Sequence, residues 1–169
     1  MKQLEQNEVA NLNRQFPICI IAHNINHPTN VGSLFRLADA FGVEKMFLTG
    51  STSVPPNKKI SKTSRATEKY VNYEYFSNPF EVIDILKTRG FLIASIEITD
   101  NSIPLSALLE TNFDKIALII GAENYGVNEQ LLLQSDAIVH LPMYGKNSSI
   151  NVAMATAITV YEITQKIES

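Results

Sequence analysis

The segment Ile116-Ala-Leu-Ile-Ile120, continued by Gly121-Ala-Glu-Asn-Tyr-Gly126, decides the fold class of this chain. Five consecutive apolar residues without polar alternation are typical of a strand that is covered on both faces, as in a parallel sheet. The turn that follows carries Glu123, a carboxylate that needs a polar partner at the end of a buried strand. Ligands of open α/β sheets bind at such strand ends. We therefore predict an α/β protein with a largely parallel sheet flanked by helices.

The rest of the chain repeats this alternation of apolar runs and helical patterns. Residues 31–41 show helical spacing and end at Gly42, and a second helix begins at Asn78-Pro79 and ends at Gly90. The last helix, residues 151–166, is apolar on almost every face, so we expect it to be buried against the sheet, a second subunit or both. The other predicted strands are residues 18–22, 46–48, 91–96 and 137–141.

Length and composition favour one ordinary globular domain. The chain has 169 residues, 45% of them hydrophobic and 18% charged, which suits one compact domain better than two. We predict an N-terminal tail over residues 1–15 and a single domain over residues 16–169. The tail has no signal-peptide core, and no segment approaches the roughly 20 apolar residues of a membrane span. With Cys19 as the single cysteine, we expect a soluble, cytoplasmic protein.

The charge distribution says more than the net charge of −3, which by itself argues against nucleic-acid binding. Residues 57–69 contain five basic side chains and one acidic one. Such a basic loop is suited to contact phosphates, although a solvated loop explains the same charges equally well. The basic residues are Lys58, Lys59, Lys62, Arg65 and Lys69, and the acid is Glu68.

The first helix carries Asn30, Gly32 and Arg36 near its start, directly after the first strand. An arginine on a helix surface is usually only solvated. Gly32, however, costs about 1 kcal/mol of helix propensity relative to alanine. Close approach by a ligand or by another chain would explain why a glycine is kept there.

Two further segments place polar residues at strand ends. The turn that contains Glu123 lacks the lysine of a P-loop and the Gly-x-Gly-x-x-Gly of a Rossmann turn, and Glu123 has a structural alternative in which it caps a helix or binds loop amides. The segment from Leu141 to Gly145 continues into Ser148-Ser-Ile-Asn151 before the last helix. A helix cap explains one of these polar residues but not a Pro-x-x-Gly loop with three of them.

Taken in order, the three segments resemble the signature motifs of the SpoU (TrmH-type) branch of the SPOUT RNA methyltransferases. The patterns Asn-x-Gly-x-x-x-Arg and Gly-x-Glu-x-x-Gly are matched fully, and Ile150 replaces the leucine of the family's Ser-Leu-Asn. The resemblance covers roughly residues 17–162. It implies the α/β trefoil knot in the C-terminal half, which periodicity and composition do not predict.

The resemblance implies a homodimeric enzyme that transfers a methyl group from S-adenosylmethionine to a ribose 2′-hydroxyl of RNA. No metal is expected, since His23, His27 and His140 lack ligand spacing, and His140 is expected to be a core or interface residue. The implied catalytic residues are Arg36, Asn30, Glu123, Ser149 and Asn151. The implied cofactor-binding residues are Glu97, Gly121, Leu141, Met143 and Ile150. The implied RNA-binding residues are Lys58, Lys59, Lys62, Arg65 and Lys146, with Arg14 as a further candidate.

The role of Arg36, the class of RNA and the function itself each have more than one interpretation. Because a guanidinium does not lose its proton readily, we expect Arg36 to clamp the phosphate and orient the hydroxyl rather than to act as the general base. The chain has no room for the extra RNA-binding domain of many ribosomal relatives, which favours tRNA over rRNA. The alternatives are a non-catalytic RNA-binding module that retains the fold, and a methyltransferase acting on a base or a small molecule.

Overall fold

A seven-stranded sheet forms the centre of the computed structural model, which describes residues 1–3 and 12–169. Its strands are β1 (Phe16–His23), β2 (Val43–Thr49), β3 (Tyr73–Phe76), β4 (Leu92–Ile96), β5 (Ile103–Pro104), β6 (Ile116–Ile120) and β7 (Ala137–His140). Their order is β3-β2-β1-β6-β4-β7-β5, and every neighbouring pair is parallel. All strands therefore end at one edge, which we call the carboxyl edge. The predicted α/β class with a parallel sheet is confirmed.

In the described part of the chain five α-helices lie between strands and a sixth follows the last strand, and asparagine side chains begin four of the six. Asn57, Asn78, Asn128 and Asn151 each accept a hydrogen bond from a backbone N–H in the first turn, which satisfies donors that a helix leaves unpaired. The helices are α1 (Pro28–Ala40), α2 (Lys58–Ser64), α3 (Pro79–Thr88), α4 (Leu105–Leu109), α5 (Glu129–Leu133) and α6 (Val152–Glu168).

The central strands are buried on both faces, as their uninterrupted apolar runs predict. In β1, Ile18 and Ile20 belong to a core that includes residues of α1 and α6. Cys19 and Ile21 point to the other face and pack with residues of α3 and α5. Each fully buried isoleucine contributes about 1.5–3 kcal/mol of hydrophobic stabilisation, so these alternating side chains hold both helical layers on the sheet.

The structure adds elements that the sequence pattern did not predict. The edge strands β3 and β5 are short and partly exposed, so neither has the apolar run of a central strand. The basic segment, expected to be a loop, is instead helix α2 followed by a 3₁₀ turn over Thr67–Lys69. Two local features explain this correction: the side chain of Asn57 caps α2, and Ile60 is buried in the core.

Helix α6 is buried on one face and exposed on another. Its inner face packs on the sheet and on α1 through residues such as Val160 and Ile163. Met154, Ile158 and Tyr161 are exposed, and their i, i+4, i+7 spacing places them in one stripe. We call these three residues the α6 stripe. The sheet and α1 therefore cover only part of the helix, and the expected burial of the remaining apolar face against a second subunit stays a prediction.

The predicted tail of residues 1–15 falls partly on residues 4–11, which lie outside the described residues; strand β1 begins at Phe16. Arg14 lies at the opposite edge of the sheet from the strand ends, where it forms an ion pair with Glu168 at 2.7 Å. Across residues 1–3 and 12–169, no helix has both the length and the apolar character needed to cross a bilayer.

Candidate active site

A cavity of about 430 Å³ opens at the carboxyl edge, where β4, β6 and β7 end. Its wall is formed by the turn after β6, by the segment after β7 and by the first turns of α6. Eight of the residues implied by the family resemblance meet in this wall: Glu97, Gly121, Glu123, Leu141, Met143, Ser149, Ile150 and Asn151. The parallel sheet thus brings together side chains that are up to 54 residues apart in sequence (97 to 151).

A chain of hydrogen bonds joins the three sequence motifs beside this cavity. Asn30 Nδ2 donates to Glu123 Oε1 at 2.9 Å. Asn151 Nδ2 donates to Asn30 Oδ1 at 3.0 Å. Asn151 Oδ1 accepts from the backbone N–H groups of Ala153 and Met154 at the start of α6. Asn30 is therefore the link between the other two motifs.

The orientation of both amides follows from this chain. The backbone donors of α6 require the oxygen of Asn151 to face the helix, so its NH₂ group faces Asn30. Asn30 must then present its oxygen to Asn151 and its NH₂ group to Glu123, which as a carboxylate only accepts. Each side-chain NH₂ group in the chain donates one hydrogen bond to the next member, and the carboxylate of Glu123 is held at the cavity wall.

Glu97 supports the turn after β6 from the end of β4. Its Oε2 accepts the backbone N–H of Val127 at 2.8 Å, and its Oε1 accepts that of Ile98 at 3.0 Å. A Cβ added to Gly126, which has a φ of +65°, would lie 2.1 Å from Glu97 Oε2. The left-handed backbone therefore favours glycine at position 126, and a larger residue there would also displace the carboxylate of Glu97.

Gly121 is required by the turn itself. A Cβ at this position would lie 2.2 Å from the carbonyl oxygen of Gly126, and the backbone N–H of Gly126 donates to the carbonyl oxygen of Ala122 at 2.7 Å. The two glycines close the turn on itself, so its backbone borders the cavity without intervening side chains.

The segment over residues 142–150 has unpaired backbone groups. Within the part of the chain that the structure describes, none of its residues makes a hydrogen bond, and most of them are exposed. Leu141, Met143 and Ile150 nevertheless line the cavity. Because folded proteins pair most backbone donors and acceptors, a segment like this is suited to bind a ligand through its main chain.

Gly32 was expected to allow close approach by a ligand or by another chain, but the structure shows a different neighbour. A Cβ at Gly32 would lie 2.7 Å from the carbonyl oxygen of Ile60 and 2.8 Å from Thr63 Cβ. The close neighbour is therefore α2 of the same chain, neither a ligand nor another chain. Helix α1 also begins earlier than predicted, at Pro28, so Asn30 is its third residue.

Arg36 does not line the cavity. It lies six residues after Asn30, which places it about 9 Å along the helix and about 120° around it. Its side chain is exposed and, among the described residues, makes no hydrogen bond or ion pair. The structure thus brings Asn30, Glu123, Ser149 and Asn151 together but leaves Arg36 on a separate face.

The basic residues of α2 and of the turn that follows it are exposed, and the nearby carboxylate of Glu68 accepts hydrogen bonds from within the same segment. Ser61 and Ser64 both donate hydrogen bonds to Glu68. Desolvation raises the pKa of Glu68, but the two serine hydrogen bonds act in the opposite direction and the net pKa is lowered. Glu68 therefore stays charged and holds the segment together. Lys58, Lys59, Lys62, Arg65 and Lys69 remain on the surface, as does Lys146 in the segment after β7.

His140 is a cavity residue that the sequence pattern did not predict. It ends β7, lines the cavity, and its Nδ1 lies 3.0 Å from Ser102 Oγ. It was expected to be a core or interface residue because it stands inside an apolar run. Its position directly before Leu141, a residue implied to bind the cofactor, could have indicated that His140 lines the cavity. Among the described residues, no group of histidine, cysteine, aspartate and glutamate side chains is arranged to hold a metal.

Residues 17–161 match the SpoU rRNA methylase family. The chain belongs to this family. The match covers most of the chain and contains all three motifs, so the family suggested by the motifs is confirmed.

Individual relatives agree with this assignment. An uncharacterized tRNA/rRNA methyltransferase of Borreliella burgdorferi is 30% identical over 148 residues, which cover 88% of this chain and 64% of that protein. The tRNA (guanosine(18)-2′-O)-methyltransferase of Thermus thermophilus is 28% identical over 150 residues, covering 88% of this chain and 75% of that one. This SpoU chain thus spans less than two thirds of the Borreliella protein.

A solved structure shows the shared fold. The AdoMet-bound rRNA methyltransferase of Sinorhizobium meliloti superposes with a TM-score of 0.82 and 20% identity, over 93% of this chain and 59% of that one. The expected SPOUT fold of this SpoU chain is confirmed by this likeness.

Proposed function

We propose that this SpoU-family chain transfers a methyl group from S-adenosylmethionine to a ribose 2′-hydroxyl of RNA. The observation that carries the proposal is the hydrogen-bonded chain from Glu123 through Asn30 to Asn151 at the wall of the carboxyl-edge cavity. A structural role for Glu123 alone would not require all three motifs to meet. Their convergence is the arrangement expected of a preorganised reaction centre.

The cavity fits the proposed cofactor. Its volume of about 430 Å³ lies within the range of small-molecule sites. Ile120 and Leu141 supply apolar wall, and the unpaired backbone of residues 142–150 supplies hydrogen-bonding groups for an adenine. When bound, S-adenosylmethionine supplies an activated methyl group on a sulfonium. Glu97, Gly121, Leu141, Met143 and Ile150 are proposed to hold it, and the related Sinorhizobium protein carries AdoMet.

The residues around the cavity are proposed to align the acceptor. Glu123 Oε1 is used by Asn30, whereas its Oε2 accepts no hydrogen bond among the described residues. That oxygen is available to a group of the substrate. Ser149 presents an exposed hydroxyl at the same wall. Alignment of a hydroxyl and a methyl group lowers the barrier chiefly by removing orientational entropy, so no covalent enzyme intermediate is needed.

Arg36 and the cations of α2 are proposed to bind the phosphates of the RNA. Arg36 has no protein partner among the described residues, so its guanidinium is free for a bidentate phosphate contact. Because it lies outside the cavity, its proposed task is to fix the RNA backbone rather than to remove the proton. Lys58, Lys59, Lys62, Arg65 and Lys146 extend the basic surface.

Ribose as the acceptor and tRNA as the substrate are supported by similarity. The Thermus relative is named for 2′-O methylation of a guanosine in tRNA, and the Asn-x-Gly-x-x-x-Arg motif has the form found in ribose-methylating relatives. The names of the other relatives include rRNA, so the choice of tRNA is the finer part of the proposal. A homodimer is proposed because the α6 stripe leaves an apolar surface uncovered.

The main alternative is an RNA-binding module that keeps the fold without turnover. Such a module has no need for an intact hydrogen-bonded chain from Glu123 to Asn151, and this observation favours the enzyme. A methyltransferase that acts on a base is distinguished by its product. Methylation of the 2′-oxygen blocks alkaline cleavage at that nucleotide, whereas most base methylation does not.

The test is methyl transfer from labelled S-adenosylmethionine to unmodified total tRNA and, separately, to rRNA. Wild type is compared with Arg36→Ala and with Arg89→Ala, a matched control in which the exposed arginine pairs with Glu44 away from the cavity. We expect an alkali-resistant labelled dinucleotide from wild type and from Arg89→Ala, and little from Arg36→Ala. Absence of transfer to both RNAs together with absence of cofactor binding by calorimetry contradicts the proposal.

A further inference from the structure

Two tyrosines in the loops that bound the cavity have exposed rings: Tyr125, which lines the cavity, and Tyr144, next to the lining residue Met143. Tyr125 is 91% exposed and Tyr144 is 97% exposed. Neither ring makes an aromatic contact, a cation–π contact or a hydroxyl hydrogen bond among the described residues. A single exposed aromatic residue needs no explanation. Here, however, the two rings lie in the two loops that bound one cavity.

All other aromatic side chains are either not exposed or have a contact partner. No phenylalanine is exposed in the structure. Each remaining tyrosine has a partner of its own: the ring of Tyr73 packs on Phe35, that of Tyr161 packs on Phe41, Tyr75 donates to the carbonyl oxygen of Gly50, and Tyr70 donates to Asp39. Tyr125 and Tyr144 are thus the exceptions within residues 12–169.

The position of these rings limits what can contact them. Tyr125 lies between Glu123 and Gly126 and lines the cavity itself. Tyr144 lies in the segment after β7, two residues before the exposed Lys146. In the proposed reaction, the acceptor oxygen must come within about 3–3.5 Å of the methyl group that it attacks. The nucleotide that carries this oxygen must therefore enter the cavity, which brings its base close to the loops that contain the two tyrosines.

We propose that Tyr125 and Tyr144 form a stacking platform for the base of the RNA nucleotide that is methylated, or of its immediate neighbour. This inference rests on the proposed function and extends it to the RNA contacts. Exposed aromatic rings beside a cation are the usual platform for unpaired bases, since each base has a π-face for stacking. Lys146 supplies the cation for the adjoining phosphate. The RNA substrate is therefore unstacked at the reaction site.

The surroundings of the rings favour a nucleotide over a second copy of the chain. Asn124, Lys146 and Asn147 flank them, and all three are exposed and polar. Protein–protein contacts place their aromatic anchors within a ring of other contacts that excludes water. That description suits the α6 stripe better than the loops that contain the two tyrosines.

The experiment uses alanine and phenylalanine variants at both positions. Tyr125→Ala and Tyr144→Ala remove the rings, whereas Tyr125→Phe and Tyr144→Phe keep them and remove only the hydroxyl. Tyr70→Ala is the matched control, because Tyr70 is an exposed tyrosine that lines a separate hollow at the opposite edge of the sheet. Each variant is assayed for the KM of unmodified total tRNA or rRNA and for the Kd of S-adenosylhomocysteine. The Kd of polyadenylate, a single-stranded probe, is measured as well.

We expect each alanine variant to raise the KM for RNA and the Kd for polyadenylate about fivefold or more, as loss of one base stack predicts. The phenylalanine variants and Tyr70→Ala should stay near wild type, and the Kd of S-adenosylhomocysteine should not change. The chain has no tryptophan, so tyrosine emission is visible. Polyadenylate should quench it in wild type and less in the double phenylalanine variant, whose rings stack without emitting.

Three results overturn the inference. Unchanged RNA affinity in the alanine variants shows that the rings do not contact bases. A parallel rise in the Kd of S-adenosylhomocysteine assigns them to the cofactor, and loss of the dimer in sedimentation assigns them to a subunit interface. If wild type methylates no RNA, the proposed function fails separately, because the polyadenylate measurement still reports on the platform.

Discussion

Asn151 donates its side-chain amide to Asn30 at 3.0 Å, across 121 residues of sequence. The same Asn151 caps helix α6 through its other side-chain atom. One residue therefore both begins the last helix and joins it to the first motif. The two roles can be tested separately, because one substitution can remove only the hydrogen bond to Asn30 whereas another removes the helix cap as well.

Asn151→Asp should keep the helix cap but remove the donor to Asn30. Aspartate caps as well as asparagine does, whereas its carboxylate would face the oxygen of Asn30. We expect a melting temperature close to wild type and an activity about tenfold lower, the upper value for one neutral hydrogen bond.

Asn151→Ala is the companion variant. It removes the cap as well and should lower the free energy of unfolding by about 1 kcal/mol. Thermal melts and methyl transfer separate the two effects. Full activity in Asn151→Asp would show that the link to Asn30 is dispensable.

Gly32→Ala should destabilise the protein although alanine favours helix. The new Cβ would lie 2.7 Å from the carbonyl oxygen of Ile60 and 2.8 Å from Thr63 Cβ, and neither atom is the flexible end of a side chain. Overpacking of this kind costs about 1–3 kcal/mol, measured by urea unfolding. Gly145→Ala is the control, since a Cβ there meets nothing within 4 Å. Equal stability of the two variants would contradict the close packing of α1 on α2.

Cys19 should be unreactive in the native protein. Burial in the core beneath α3 raises the pKa of its thiol to about 12, so almost none of it is thiolate at pH 8. We expect no labelling by iodoacetamide under native conditions and complete labelling in guanidinium chloride, with mass spectrometry as the readout. Rapid native labelling would mean that β1 opens locally.

Acid should destabilise the protein through His23. Burial lowers the pKa of His23 below its ordinary value, and its ring nitrogens lie 3.0 Å from Thr49 Oγ1 and from Asn24 Nδ2. Asn24 Oδ1 accepts the N–H of Ser51, so Asn24 must donate to His23, which then has to be neutral. The unfolded chain binds a proton at higher pH than the folded one does. The stability is thus fully present above about pH 6.5 and falls as the pH drops toward the lower folded pKa.

His23→Gln should reduce this dependence of the melting temperature between pH 5 and 7.5. His27→Gln is the control, because His27 is exposed and takes part in no such network. An unchanged slope in His23→Gln would assign the acid sensitivity to other groups.

Ile158→Lys should weaken the proposed dimer. Ile158 is the central residue of the α6 stripe and is exposed in the single chain, so the substitution costs little if the chain is monomeric. In a dimer it would bury an unpaired charge. We expect a monomer in analytical ultracentrifugation with a similar circular dichroism spectrum. Glu162→Lys, an exposed position next to the stripe, controls for added charge.

The sequence predicted the central sheet well because its signals are local. The apolar run of β6 and the helix cap at Asn78 depend only on neighbouring residues. Helix α2 was not predicted because Ile60, which packs on the core, is the only apolar residue in a segment of charged and polar ones. The short edge strands β3 and β5 were missed because edge positions lack a continuous apolar run.

By itself, the sequence determined the parallel α/β class, the positions of the central strands and the residue types that meet at the carboxyl edge. Only the tertiary structure decided that Asn30 links Glu123 to Asn151, that α2 rather than a ligand is the close neighbour of Gly32, and that Arg36 stands apart from the cavity. The reason is physical. Strand and helix patterns follow from periods of a few residues, whereas contacts across 93 and 121 residues depend on the order in which the strands are placed in the sheet.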